Sequence, residues 1–556
     1  MKLTTFLIIS IAILFSLQNN AQSKSSKNSY DIIIYSGTSS GITAAVQAAR
    51  MNQTVLIIEP SNRLGGQTTG GLGQTDIGKK QTIGGISREF YQNIKKYYDN
   101  SENWKWQKKS DYKVSSRSHR SNHEDVMWIF EPSAALKVYH EMLKNEKISI
   151  VYKQRLKRNG GVNKKRETIK SITMESGNVY YGKVFIDASY EGDLMASSGI
   201  SYTIGREDNS KYGESLNGVQ TGKTGKSLNG HKATTSEKHN FVNSLDPYKE
   251  KGNPKSGILP YIQIDSPPNN GTGDKKLQAY CFRMCLTNKS ENRIPFTKPS
   301  NYNELNYELL LRNFEAGYKN IPWINSKMPN KKTDTNNKGG FSTDFIGQNY
   351  DYPEASYKER ERIIENHRNY QKGLMWTLAN NDRVPQKIRD EVSKWGTCKD
   401  EFERKDGWPQ QLYIREARRM ISDLVITEKH SEGIKKVNDG IGLASYTMDS
   451  HHAQRYITKK GHVLNEGNVE ATVHKPFPIS YRSIVPKKTE CTNLLVPVCL
   501  SASHIAFGSI RMEPVFMIIG QSAGAAAAIA VKSKKAVQDI DYNLLRNQLL
   551  KDNQKL

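Results

Sequence analysis

Cysteine is scarce in this chain, with five residues among 556: Cys281, Cys285, Cys398, Cys491 and Cys499. An odd count leaves at least one thiol outside any intramolecular pair. The spacing of Cys281 and Cys285 is not that of a redox CxxC, and no second cysteine pair or nearby histidine pair makes a zinc pattern, so no metal site is expected. Buried thiols packed as small apolar groups are the expectation. Apolar residues are also sparse, at 36% with a mean hydropathy of −0.68, and past the N-terminus no segment reads as a membrane span. No internal repeat occurs at a fixed period. Acidic residues are outnumbered 56 to 81, which gives a net charge of +25. The excess is scattered in short runs such as Lys108-Lys109, Lys164-Lys165-Arg166 and Lys331-Lys332. Without a sustained basic stripe and interleaved aromatics, a nucleic-acid surface is excluded. A solvated basic surface remains, with attraction to acidic polymers outside the cytoplasm as its functional alternative.

The N-terminus has a basic start at Lys2, an apolar run from Leu3 to Leu17 and a polar stretch ending at Ala21. That layout predicts a signal peptide over residues 1–21, the run being too short for a comfortable span and Ala21 supplying a small residue at the cut. No cysteine follows to carry a lipid. The mature chain is therefore expected to be soluble and exported, secreted or periplasmic, with no transmembrane segment after cleavage. The length allows two or three domains.

Chemistry begins at Asp31-Ile32-Ile33-Ile34-Tyr35, an apolar, β-branched run of the kind that forms a buried parallel strand. The turn Ser36-Gly37-Thr38-Ser39-Ser40-Gly41 follows and opens a helix with Ile42, Ala45, Val46 and Ala49 on one face. Strand, turn and helix begin a βαβ unit in which glycines let the backbone approach a pyrophosphate at the helix start. A second buried strand, Thr54-Val55-Leu56-Ile57-Ile58, ends on Glu59. A carboxylate there accepts hydrogen bonds from both ribose hydroxyls of an adenosine. The turn departs from GxGxxG, because Ser36 and Thr38 occupy the first two glycine places and only Gly41 stands at the third; the Thr38 hydroxyl is expected to reach a phosphate where a glycine would merely make room.

The segment Arg63-Leu64-Gly65-Gly66, followed by Gln67-Thr68-Thr69-Gly70-Gly71-Leu72-Gly73, resembles the second signature of flavoproteins of the glutathione-reductase type, whose loop runs alongside the dinucleotide. Three later pieces fit the same pattern in order. Ile148-Ser149-Ile150-Val151-Tyr152 resembles the strand that supports the adenine, a hairpin from residue 171 to 186 closes on Asp187-Ala188-Ser189, and Asn493-Leu494-Leu495-Val496-Pro497-Val498 is a strand. Gly520-Gln521-Ser522-Ala523-Gly524 is read as opening an Ala-rich helix that faces the flavin. Over residues 30–531 the chain resembles the secreted bacterial FAD-dependent oxidoreductases of that superfamily. The resemblance implies an α/β fold, a Rossmann-type FAD-binding domain with a parallel sheet, helices and a β-meander, plus an inserted mixed α+β substrate domain. Its parts are expected at 30–200, 201–490 (substrate or cap) and 491–535. FAD is the implied cofactor, with Ser36, Gly37, Thr38, Gly41, Glu59, Arg63, Gly65, Gly66, Val151, Asp187, Gly520, Gln521 and Ser522 as its binding residues.

The middle of the chain has no second dinucleotide fingerprint, so a built-in NADPH domain is not expected. Its polar stretch from 325 to 340 reads as a surface loop and residues 357–371 as a charged helix. Glu191 and Asp193 form an acidic pair that is either catalytic or a helix cap. Hydride removal needs a base, which ranks His451, His452 and His504, with His451 or His452 first; Arg415 and Arg511 are candidates for orienting an acidic substrate or for buried ion pairs. The expected activity is hydride transfer from a small or carbohydrate-like substrate to FAD, with an external acceptor and a role in polysaccharide breakdown. The alternatives are a non-catalytic exported binding protein for anionic polysaccharide on a degenerate flavoprotein fold, and a flavin oxidase of amines or peptides.

Overall fold

The computed structural model describes residues 28–114 and 125–556; the expected signal peptide lies outside them. The isoleucines of β1 (Ser29–Tyr35) are wholly buried, as the sequence pattern requires of a strand covered on both faces. β1 pairs in parallel with β2 (Val55–Ile58), which pairs with β3 (Ile148–Val151). On its other side β1 pairs in parallel with β6 (Val179–Asp187), and β13 (Leu494–Leu495) joins β6 from the far end of the chain. Antiparallel β5 (Thr168–Thr173) and β4 (Val162–Lys165) extend the sheet beyond β6, giving the order β3-β2-β1-β6-β5-β4. The expected hairpin is thus the last two strands of a three-stranded meander. This is a mixed α/β fold with a Rossmann-like parallel region.

Two helices cross over this sheet, α1 (Ser39–Arg50) and α5 (Glu513–Ser533). At the crossing a Cβ on Gly520 would lie 2.2 Å from the Ser40 carbonyl oxygen, and one on Gly524 2.3 Å from that of Ala44. The helices therefore meet backbone to backbone, locked by the Thr43 hydroxyl donating to the Met517 carbonyl at 2.8 Å. α5 begins at Glu513, seven residues earlier than the sequence pattern placed it. The apolar stretch before Gly520 is the helix's own first turns, with Pro514 in the first turn where its missing N–H costs nothing. By length and composition α5 is apolar enough to cross a membrane, but it is the core helix here, packed on all sides. The chain after residue 535 also returns to this region, through α6 (Tyr542–Lys551) and a 2.9 Å bond from the Gln554 amide to the Ile518 carbonyl.

The middle of the chain holds a five-stranded antiparallel sheet. Its order is β8 (Arg293–Pro295), β11 (Gly396–Cys398), β7 (Met284–Thr287), β10 (Lys332–Asn337) and β9 (Trp323–Met328). β9 and β10 occupy the stretch expected as a surface loop, and β10 is largely buried. Its polarity misled because its charges are paired inside the protein. The Lys332 ammonium, 1% exposed, lies 2.7 Å from Glu131, 2.7 Å from Glu401 and 2.9 Å from Asp400, and Asp334 is bridged to Arg283 at 2.8 Å. An ammonium has three donors, and here each meets a carboxylate. The expected charged helix is α3 (Tyr357–Asn380), longer than its charged part. All five cysteines are buried, with the Cys285 and Cys398 sulfurs 3.7 Å apart.

Candidate active site

Ser36 has φ of +76°, the left-handed region that the first glycine of the usual turn would occupy. A non-glycine residue there costs on the order of 1 kcal/mol, and the turn is held by the Ser36 N–H donating to the Ile58 carbonyl at 2.8 Å. Gly37 has no room for a side chain, since a Cβ would meet Leu64 at 2.4 Å. Its N–H donates to Glu59 at 2.8 Å, and the Ser61 N–H donates to the other carboxylate oxygen at 2.7 Å. Burial pushes the Glu59 carboxyl above the ordinary range, with the bonds from Ser61 and Gly37 opposing it. Each oxygen keeps a lone pair for a ribose hydroxyl. At Gly41 a Cβ would stand 2.2 Å from the Ser36 carbonyl, so this glycine is fixed by the closeness of strand and helix. Thr38 caps α1, accepting from the Gly41 N–H at 3.3 Å, and its hydroxyl donates to the Ala188 carbonyl at 2.8 Å. Its one hydrogen is therefore spent inside the protein, and the expected hydroxyl bond to a phosphate is not available in this arrangement.

The next loop is tied to this turn by the Gly65 N–H, which donates to the Gly37 carbonyl at 2.7 Å. Gly65 and Gly66 both have positive φ, and a Cβ on Gly66 would lie 2.5 Å from the Tyr190 hydroxyl. Arg63 donates through Nε to the Thr69 carbonyl at 3.2 Å, while its Nη2 and both polar atoms of the Gln67 amide are buried without a protein partner. Unmet buried groups of this kind cost about 1–3 kcal/mol each, and Arg63 lines the cleft, where a polar ligand would relieve its share. The cleft has a volume of about 230 Å³ and is lined by Ser36, Thr38, Glu59, Arg63, Gly66 and Tyr190. Its glycine cradle, ribose-facing acid and orphaned donors fit a dinucleotide.

The remaining residues read as cofactor contacts have structural partners. The Val151 carbonyl accepts from the Glu59 N–H at 2.8 Å. Asp187 accepts from the Ser189 N–H and hydroxyl and from the Met195 N–H, and burial pushes its carboxyl up to about 6. Gly520 sits at the helix crossing, Gln521 bonds Ile86 and Gln47, and Ser522 donates to the Ile441 carbonyl. At the true start of α5 stands Glu513, which sequence reading missed. It accepts from Ser39 at 2.5 Å, Thr68 at 2.7 Å and Tyr190 at 2.8 Å, joining three separate cleft segments. The signal available in sequence was an acid directly before a proline at a helix start. Of the acidic pair, Asp193 is clamped by Arg360 at 2.6 Å and Arg418 at 3.0 Å, and Glu191 accepts from the Tyr352 hydroxyl at 3.0 Å.

A second polar group lies where the glycine loop ends. A Cβ on Gly71 would be 1.8 Å from the Arg283 carbonyl, so the loop abuts the residue that leads into β7. Arg283 stacks over the Tyr413 ring, and the Tyr413 hydroxyl accepts from Arg511, two residues before the start of α5. Here Asp344, also missed in sequence, bonds His451 Nδ1 at 2.7 Å with one oxygen and lies 2.9 Å from the Arg415 guanidinium with the other. Asp449 accepts from Arg511 at 2.7 Å and lies 3.6 Å from His451 Nε2. Burial works against ionising both acids, but Arg415 and His451 hold Asp344 well below the carboxylate range, and His451 and Arg511 hold Asp449 at about 2. His451 and Arg415 thus meet on one carboxylate.

His452 points elsewhere, its Nε2 bonded to the Lys238 carbonyl at 3.1 Å, and burial pushes it down to about 3. His504, on α4 (His504–Ile510), lies between Glu416 at 2.7 Å and the Ser450 hydroxyl at 3.0 Å. The order Ser450, His504, Glu416 has the form of a nucleophile, base and acid. All three are at most 2% exposed, so no substrate reaches them. Burial holds His504 at about 3, a neutral core histidine.

The model of the FAD-dependent oxidoreductase family matches residues 31–549. The chain belongs to that family: it is a FAD-dependent oxidoreductase, and FAD is its cofactor. No curated protein matches it. Among solved structures it is similar to THI4 of Thermovibrio ammonificans, at 14% identity over 36% of this chain and 74% of that one, with a TM-score of 0.23. It is also similar to PqsL of P. aeruginosa in complex with 2-aminobenzoylacetate, at 14% identity over 29% and 42%, TM-score 0.20. A third is the anhydrotetracycline hydroxylase OxyS of Streptomyces rimosus, at 10% over 33% and 36%, TM-score 0.22. The chain covers less than half of the last two.

Proposed function

We propose that this oxidoreductase is exported and removes hydride from a small or carbohydrate-like substrate, in polysaccharide breakdown, with an external acceptor completing the cycle. The observation that carries the reading is the placement of the His451 ring between the carboxylates of Asp344 and Asp449 at the end of the glycine loop. With Nδ1–H donating to Asp344, the Nε2 lone pair is left for a substrate hydroxyl proton. Asp449 then stabilises the imidazolium that forms. The Arg415 guanidinium stands 2.9 Å from Asp344 and that of Arg511 2.7 Å from Asp449, which favours the ionised form of each carboxylate. FAD, when bound, supplies the hydride acceptor. Residues 201–490 form the substrate side of the cleft. Export past the cytoplasmic nicotinamide pool, and the lack of a second dinucleotide fingerprint, favour oxygen or another non-nicotinamide acceptor.

The test is the visible spectrum of the purified mature protein before and after denaturation, followed by anaerobic addition of sugars and sugar acids. Bleaching of the bound flavin by a sugar, with a mature N-terminus following Ala21, is the expected result. A protein that holds flavin but is bleached only by amines or peptides overturns the substrate reading.

A further inference from the structure

Away from the cleft, a cavity of about 380 Å³ opens between the loop from 301 to 307, the loop from 347 to 351 and α3. That is near the lower end of the ~300–1,000 Å³ usual for small-molecule pockets, which suits part of a longer ligand. Its walls are tyrosines, among them Tyr261, Tyr302, Tyr350 and Tyr370. Between them stand five carboxamides, Asn301, Asn306, Gln348, Asn366 and Asn369, none of whose amide groups bonds to the described protein. Its charged lining is limited to Asp351 and Arg362, of opposite sign, and Arg362 is already engaged by Glu359 at 3.0 Å.

A carboxamide offers two donors and an acceptor side by side, which matches a pair of neighbouring hydroxyls, and tyrosine pairs an apolar ring with a polar tip. Balanced charge gives no reward to an anion. Tyr261 adds a further mark, because it holds φ at +66°, a strained conformation for an aromatic residue.

The cavity is laced to the His451 strand. Within its loop, Asn349 donates to the Gln278 carbonyl at 3.0 Å, and the Gln278 side chain accepts from the His451 N–H at 3.3 Å. The Tyr350 hydroxyl bonds the Ala453 carbonyl, two residues beyond His451, and Phe345 on the cavity wall directly follows Asp344.

We propose that this cavity is a binding subsite for a neutral oligosaccharide, feeding the site at His451. The proposal rests on the carbohydrate reading above and narrows it to uncharged glycans. The test titrates the flavin-loaded enzyme calorimetrically with cellohexaose, xylohexaose and maltohexaose, and with an oligogalacturonate as the anionic control. It then repeats the titration on the Asn366→Ala, Asn369→Ala double variant, in which the first residue is exposed on α3 and the second half-buried. At least one neutral hexaose is expected to bind, with affinity at least tenfold weaker in the double variant while flavin content and Tm stay the same. Absence of binding by all three hexaoses, binding of the oligogalacturonate alone, or equal affinity in the double variant overturns the proposal. Loss of hexaose binding with monosaccharide bleaching intact would sink this subsite and leave the oxidoreductase reading standing; hexaose binding without bleaching by any sugar would do the reverse.

Discussion

In the dinucleotide cleft, Glu59 takes its bonds from Gly37, 22 residues away, and from Ser61, two residues away, in each case from a backbone N–H. Around His451 the partners are side chains, and the closest bond spans 107 residues to Asp344. The cleft is shaped by where side chains are missing, at Gly37, Gly41 and Gly66, while the second group is shaped by opposite charges buried together. The first arrangement tolerates no added atom; the second tolerates no lost partner.

Substitutions separate these two kinds of construction. Gly41→Val forces a Cβ into the Ser36 carbonyl and should cost about 3 kcal/mol or more; the expected yield is insoluble or flavin-free protein, checked by visible absorbance per chain. Asp344→Ala strands the buried Arg415 guanidinium and should cost about 3–5 kcal/mol in denaturant unfolding. Stability within 1 kcal/mol of the parent would mean that water, rather than Asp344, satisfies Arg415. His451→Gln leaves the cleft alone, so flavin content should hold while turnover falls ~10²–10⁴-fold. His452→Gln, at a ring turned toward Lys238, should stay within a few-fold in the same assay.

Acid offers a gentler probe. Burial holds His452 and His504 at about 3, and His367 and His430 at about 4. Between those values and about 6.5 the unfolded chain binds protons that the native state refuses, so stability is full above 6.5 and declines as pH falls, by up to ~1.4 kcal/mol per unit for each group. Tm should therefore drop between pH 7 and 4.5, and less steeply in His504→Asn. The smallest effect expected is a gain: Ser36→Gly relieves a positive φ and should stabilise by about 0.5–1 kcal/mol with flavin content unchanged. A loss instead would assign the Ser36 side chain a contact that outweighs its strain.

Legibility followed the same division. The strand, turn, helix and acid of residues 31–59 were readable because a parallel strand needs consecutive buried β-branched residues and a tight turn needs glycine, both local demands. Thr38 and Gly520 also have structural roles that the sequence does not distinguish from cofactor contacts: a cap and a helix crossing select the same small residues as a ligand site does. Hairpin β9–β10 has the local polarity of a surface loop, because nothing near it in sequence signals that Glu131, Asp400 and Glu401 neutralise Lys332 from afar.

By itself the sequence determined the parallel strands, the glycine turn, the acid at Glu59 and the flavoprotein order of the pieces, since each depends on backbone geometry within a few dozen residues. Only the tertiary structure decided that His451 rather than His452 stands beside Arg415, that Glu513 ties Ser39, Thr68 and Tyr190 together and that His504 is sealed. Those choices depend on which distant charges share one buried space, where an unpaired group is too costly to persist.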